Sequence, residues 1–194
     1  MQQDNWGINP PRDGVMYDPN VRDFDTSFWK KLAGTVAVTG SVPNKAVRFT
    51  NGDAISFSQY KYGVFDYALN IPNTPSGSEA RKWGLLWPST VNGGIYFEIS
   101  GSVFQVVTTD DLGNTTTSAV TFVSAWAGSE IIYRIIWTPN TITFTINDIF
   151  QKTHTITNGD KIPTIPMPLR IDTNEADNVD LGYLLVKNAG TIIS

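Results

Sequence analysis

From Thr35 onward the chain breaks into short runs in which apolar and polar residues alternate with a period of two, separated by glycine, proline, asparagine and aspartate. A period of two is the mark of strands with one buried and one wetted face, and turn residues at this spacing point to a sandwich or barrel. The predicted strands are TVAVTG, KAVRFT, AISFSQ, GVFDYALNI, KWGLLW, GIYFEIS, VFQVVTT, SAVTFV, EIIYRIIWT, TITFTIN, QKTHTIT, PMPLRID and VDLGYLLVK. In TITFTIN, Ile142, Phe144 and Ile146 share the buried face, and Thr141, Thr143 and Thr145 line the other. EIIYRIIWT differs. Tyr133, Ile135 and Trp137 share one face and Ile132, Arg134 and Ile136 the other, a pattern expected of a strand covered on both sides, with Trp137 in the core. Between these two strands Pro139 excludes a type I′ turn and favours type I or II, with Asn140 in third position.

Ahead of the strands the pattern is different. Residues 1–27 hold Pro10, Pro11, Gly14 and Pro19 with almost no apolar periodicity, and read as an extended N-terminal arm. DTSFWKKLAG follows, where Asp25 or Thr26 would cap a short helix that buries Phe28, Trp29 and Leu32 and stops at Gly34. The division expected is an arm over 1–27 and one all-β domain over 28–194.

Composition supports a single core. At 194 residues and 41% hydrophobic content the chain can bury a sizeable interior in one domain. A net charge of -4, with scattered Lys and Arg, argues against nucleic-acid binding. With no cysteine there is no disulfide, thiolate metal site or cysteine nucleophile. No apolar run approaches the roughly 20 residues of a membrane span, and MQQDNWGINPPRDG has neither the basic start nor the apolar stretch of a secretory signal.

Several segments, in order, resemble the concanavalin A-like lectin and glucanase superfamily, which includes laminin G-like modules and family 16 glycoside hydrolases. They are YKYGVFDYALNIP, GLLWP, GIYFEISG, WAGSEIIYRIIWTPNTITFTIND and DNVDLGYLLVKN, and together they cover most of residues 45–188. The resemblance implies a jelly-roll sandwich of two curved antiparallel sheets whose concave face binds glycan in many members. It also implies where acids should stand: the glucanases carry Glu, any residue, Asp, any residue, Glu on one strand. The matching strand, GIYFEISG, holds only Glu98, with Tyr96 and Ser100 two residues to either side.

Glu98 could act with a carboxylate from another strand, for which Asp66 in GVFDYALNI is the best candidate. The plainer expectation is that Tyr96, Glu98 and Ser100 form a wetted face opposite Ile95, Phe97 and Ile99. His154, the only histidine, sits among polar residues with no nucleophile-elbow serine, and is expected to be an exposed strand residue. Asp172, Asn174, Asp177 and Asp180 place oxygen ligands in a short loop, a set that would suit calcium. The same residues are what turns select, and the spacing is not that of an EF-hand. Trp83, Trp87 and Trp126 lie near segment ends, where rings can stack on sugar faces; with Tyr96 and Glu98 they form the expected ligand-binding set.

The function expected is a non-catalytic structural or binding module displayed outside a cell or particle, with a virion component such as a capsid-decorating or tail protein as its sharpest form. The arm would dock on other protein subunits in an oligomer or assembly. A carbohydrate-binding module or lectin is the alternative, and a glycosidase or polysaccharide lyase the third reading. No cofactor beyond calcium is expected.

Overall fold

The computed structural model describes residues 14–20, 26–42, 44–75, 77, 79–88, 93–174 and 178–193. Among them there is no α-helix. The strands are β1 (Gly14–Tyr17), β2 (Trp29–Thr39), β3 (Ala46–Lys61), β4 (Gly63–Asn70) and β5 (Ala80–Leu86). They continue with β6 (Gly94–Ser100), β7 (Val103–Thr109), β8 (Thr115–Val120), β9 (Glu130–Trp137) and β10 (Thr141–Ile146). The last four are β11 (Phe150–Thr155), β12 (Met167–Asn174), β13 (Asn178–Lys187) and β14 (Gly190–Ile193). All pairings are antiparallel, in the order β11-β10-β9-β4-β13-β3-β12-β5-β6-β7-β8, and the result is a jelly-roll sandwich.

The path folds into two layers at β3. Val47–Thr50 of this strand pairs with β13, and Asp53–Tyr60 pairs with β12. Between the halves Asn51 takes a left-handed φ of 44°, which turns the strand from one sheet into the other. KAVRFT and AISFSQ, expected as two strands, are therefore one bent strand. Across the Thr138–Thr141 turn Thr138 N–H donates to the Thr141 carbonyl at 2.9 Å and Thr141 N–H to the Thr138 hydroxyl at 3.0 Å, and Asn140 lacks the positive φ that a type II turn requires.

Inward side chains of the two layers interlock as rings. Trp83 and Phe97 from β5 and β6 meet Tyr133 of β9 edge-on at 4.9 and 5.3 Å, and Phe97 meets Phe144 of β10 at 5.3 Å. Tyr67 of β4 reaches across the layers to donate its hydroxyl to the Gly84 carbonyl at 2.6 Å. Trp137 is 1% exposed, as its place in the pattern required. Ile132, Arg134 and Ile136, on the other face of β9, are half-buried, so that face is only partly covered.

Two expectations fail here for the same reason, recruitment by a sheet edge. DTSFWKKLAG forms no helix: β2 starts at Trp29 and pairs with β3 over Trp29–Thr39. Ten residues are too few to hold a helix against an available edge. The end of the arm also joins the sheet. Gly14–Tyr17 pairs with Leu184–Lys187 of β13, along the stretch that β3 has left, and Tyr17 is 2% exposed against Phe28 and Trp29. Met1–Asp13 lies outside the described residues.

His154 is the third correction. It is buried at 2% exposure, not exposed, and it ties the free edges of the two layers together. Its Nδ1 shares a 2.8 Å hydrogen bond with the Thr108 hydroxyl of β7, and its Nε2 one of 3.0 Å with the Ser118 hydroxyl of β8. Strand β11 is thereby fastened to β7 and β8. Lys161 N–H donating to Thr116 Oγ1 at 2.9 Å adds a second tie.

Trp137→Ala is expected to lower the unfolding free energy by roughly 3–5 kcal/mol in urea titrations. Trp137→Phe should cost less, because the buried indole N–H has no hydrogen-bond partner to lose. Burial pulls the His154 pKa below its ordinary value, with Asp160 raising it and Lys152 lowering it. The unfolded chain then binds the proton more tightly than the folded one. Stability from this site is full above about pH 6.5 and falls as pH drops below it. In His154→Gln that part of the acid slope should vanish, which unfolding midpoints at several pH values would show.

Candidate functional site

The outer face of the β12-β5-β6-β7-β8 layer carries the candidate site. Register places Asp53, Asp172, Lys82, Glu98 and Gln105 in one row across five neighbouring strands. The next row holds Arg170, Gly84, Tyr96 and Val107. Beyond these rows a cleft of ≈ 550 Å³ opens, with Leu86, Trp87 and Pro88 on one side and Leu112 and Gly113 on the other. Tyr96, Thr109, Thr115, Lys82, Arg170 and Asp172 also line it. Its volume is that of a small-ligand site.

Both rims are braced. On the β7–β8 side the Asp110 carboxylate accepts the N–H groups of Leu112 and Asn114 at 3.0 and 2.8 Å. Burial pushes its pKa up, but the Asn114 side-chain amide, these two N–H groups and the field of Lys161 outweigh that and hold it below the usual carboxylate range. Asp111 accepts the Thr164 N–H at 2.9 Å and bonds its hydroxyl as well, anchoring the loop to the β11–β12 connection. Leu112, 83% exposed, is thus presented by a fixed loop. On the other rim the Trp87 carbonyl accepts from Arg170 Nη1 at 3.1 Å.

Arg170 is the electrostatic centre. It grips Asp53 with both Nε and Nη2 at 2.8 Å and reaches Asp172 with Nη2 at 2.9 Å. Burial alone would lower its pKa, but the bonds to Asp53 with the fields of Asp172 and Asp53 outweigh that and raise it. The Asp172 carboxyl is pushed up, first by burial and also by Asp53, against the opposing pull of Arg170 and Lys82. Beside it Lys82 pairs with Glu98 at 3.1 Å and stands 5.4 Å from the Tyr96 ring centre. Glu98 also accepts from Gln105 Nε2 at 2.6 Å. The Tyr96 phenol is raised mainly by burial.

Strand β6 itself contributes one carboxylate to this face, Glu98. Its outward residues are Gly94, Tyr96, Glu98 and Ser100, opposite buried Ile95, Phe97 and Ile99. The Tyr96 ring lies over Gly94, where an added Cβ would stand 2.8 Å from Cε1. A carboxylate at position 94 would therefore have to displace the ring. Asp66 does not join Glu98. It lies on β4, in the other layer, and faces away from the interior into a bidentate pair with Arg134 at 2.7 and 3.1 Å. The layers are roughly 10 Å apart and the two acids point away from each other, so more than that separates them.

The other predicted residues divide. Trp87, Tyr96 and Glu98 do belong to this face. Trp83 is 0% exposed, stacked on Phe97 at 5.7 Å, and offers no ring to a ligand. Trp126 packs on Phe104 and Phe122, at the far end of β7 from Thr109, and does not line the cleft. Asp172 and Asp180 do not share a site. Asp172 stands opposite Asp53 and Asp180 opposite Arg48, five residues apart on β3, or roughly 15 Å. Asp180 is paired with Arg48 at 2.7 Å and lines a separate cleft of ≈ 460 Å³ with Asn70, Glu130 and Tyr183. Asp177 lies outside the described residues, and among those described no group of three or more His, Asp or Glu could hold a metal ion.

Sequence reasoning missed Arg170, Lys82, Asp53, Gln105 and Leu112. In PMPLRID, Arg170 and Asp172 alternate with Leu169 and Ile171, which marked them as a charged outer pair. What the sequence lacked was register, which alone puts Asp53 and Lys82 beside them.

No protein-family model matches the chain, and no curated protein matches it. Solved structures do. The chain resembles a Bacillus licheniformis beta-glucanase at TM-score 0.70 and 16% identity, over 91% of this chain and 98% of that one. It resembles a Bacteroides ovatus mixed linkage glucan GH16 in complex with product at TM-score 0.69 and 14% identity, over 92% and 99%. The binding domain of Paraclostridial Mosquitocidal Protein 1 matches at TM-score 0.61 and 12% identity, over 84% of this chain and 45% of that one. The fold is the concanavalin A-like jelly roll of the GH16 glucanases.

Arg170→Met is expected to destabilise by roughly 2–4 kcal/mol, since it strands Asp53 and Asp172 in a largely buried setting. Asp172→Asn should cost under about 1 kcal/mol, because Arg170 keeps its two bonds to Asp53. Urea unfolding of the two variants would separate these outcomes.

Proposed function

We propose that this chain is a non-catalytic carbohydrate-binding module that takes glycan in the cleft between Trp87 and Leu112. The observation that carries the reading is the outer row of β6, Gly94–Tyr96–Glu98–Ser100, with its single carboxylate held by Lys82 and Gln105. Retaining glycosidases need two carboxyl groups about 5–5.5 Å apart, and the position two residues before Tyr96 has been given over to its ring. What the cleft retains suits binding: apolar surface at Leu86, Trp87, Pro88 and Leu112 for the C–H faces of a sugar, with hydroxyl and charged groups at the other end. The glycan chemistry in the names of similarly folded proteins points the same way.

A second reading is favoured by one observation. Asp172, its carboxyl pKa raised, shares a row with Glu98 two strands away, roughly 10 Å between backbones. Such a pair is the arrangement of an inverting hydrolase, with water between the acids, but here Lys82 stands between them. Display on the outside of a virion or cell is supported by the hydroxyl-rich outer strands, Thr141 and Thr143 of β10 and Thr115 and Thr117 of β8 among them.

A glycan array followed by calorimetry tests the proposal. Retention of a glycan, with affinity about fivefold to tenfold weaker in Trp87→Ala and in Leu112→Ser, is expected for loss of one stacking or apolar contact. Leu112→Ser is the cleaner variant, since its side chain is in solvent. Absence of any glycan ligand would sink the binding reading, and hydrolysis lost in Glu98→Gln would install the second one.

A further inference from the structure

We propose that two copies of this chain pair antiparallel through the free edge of β2, along Thr35–Thr39. Strand β2 pairs with β3 on one side, and no described strand lies on the other. A free edge carries unpaired N–H and C=O groups that template another strand unless something blunts it. The first half of β2 is blunted. Lys30 and Lys31 place charges there, and the register with β3 slips between Lys31 and Ala33 and again between Ala33 and Thr35. Gly34 sits in the second slip at φ 65°, against the Asn51 carbonyl, where no side chain fits.

The second half has no such protection. Thr35–Thr39 is in unbroken register with Thr50–Ala46 and contains neither charge nor proline. Its sequence, TVAVT, reads the same in both directions about Ala37. An antiparallel pair related by a two-fold axis sets residue i of one copy against residue j of the other and j against i. Centred on Ala37, this places Thr35 against Thr39, Val36 against Val38 and Ala37 against itself. Paired residues then have the same parity, as the alternation of outward-pointing backbone groups demands. The segment is thus its own complement, which selects a second copy of this chain as the occupant.

The side chains agree with this pairing on both faces. Val36 and Val38 lie beside Phe49 and Val47 on the inner face and are only half-buried, so four valines would meet across the axis and close each other's exposed flank. On the outer face Thr35 and Thr39 form cross-strand hydroxyl pairs, and exposed Ala37 leaves room at the axis. Arg48 flanks Ala37 on β3, but the two copies of Arg48 would stand three strand spacings apart, roughly 14 Å, beyond the screening length of about 8 Å. Each is also held by its own Asp180. A pairing this short gives modest affinity, and its use would be to carry two clefts on one particle so that weak contacts add.

Sedimentation equilibrium of the full chain tests it. The expected result is a monomer–dimer equilibrium with a Kd on the order of 10 µM. Ala37→Lys, at an exposed position, should weaken it by at least about tenfold by setting like charges opposite each other, as should Ala37→Glu. Mixing the Lys and Glu variants should restore a dimer that neither forms alone, with thermal midpoints unchanged in the separate proteins. A wild-type chain that stays monomeric at ten times that concentration overturns the proposal. So does a dimer that both substitutions leave intact, or one that the mixture fails to restore.

Discussion

Rings pressed between the two layers set the terms for the rest of the molecule. Trp83, Phe97 and Phe104 on one sheet and Tyr133 and Phe144 on the other meet edge-on or stacked at 4.9 to 6.3 Å, with none of the five more than 3% exposed. Rings of this size dominate core energetics, and their packing fixes the distance and the relative rotation of the layers. It also fixes every register, because a slip of one residue would turn the rings outward and the charges inward. The outer rows are a consequence. Once Trp83, Phe97 and Ile171 point in, Lys82, Glu98 and Asp172 have no choice but to stand in line on the other face.

The layers are closed at both sides by different means. At one side β3 belongs to both sheets, bending at Asn51, and β1 takes up the stretch of β13 that β3 vacates. At the other side no described strand is shared, and polar contacts do the joining: an imidazole between the hydroxyls of Thr108 and Ser118, and the Lys161 N–H on Thr116. A histidine suits this position because a neutral ring donates from one nitrogen and accepts at the other, and hydroxyls can answer either. The cost is sensitivity to protonation in a place where charge is poorly solvated.

The strands were legible because period-two alternation is a local property, and GIYFEIS and VFQVVTT correspond residue for residue to β6 and β7. What lay beyond local pattern was lost. GVMY in β1 and GTII in β14 are four residues each, too short to show a period, and exist as strands only because an edge is there to receive them. His154 sat among polar neighbours, yet pairing it opposite Ile142, as the hairpin requires, would have put it on the buried face. Trp83 stands near a segment end, which suggests a loop, yet its alternation with Leu85 marks it as core. The site was half legible. Trp87, Tyr96 and Glu98 were visible along one dimension of the sheet, while Arg170 and Lys82 join them along the other, where sequence carries no signal.

That second dimension also sets the company each carboxylate of this face keeps. A catalytic acid must exchange a proton with substrate, so it needs an unoccupied lone pair and a partner of different pKa nearby. Glu98 has Lys82 on one side and Gln105 on the other, and Asp53 and Asp172 have Arg170 between them. Cations set among the anions, with Gln105 beside Glu98, hold each carboxylate in place. A row held in this way offers its remaining lone pairs as fixed acceptors, with little to reorganise when a ligand arrives. On the proposed reading, a backbone like that of the glucanases would serve recognition through the choice of side chains alone, a choice made at Gly94 and Tyr96 as much as at any charged residue.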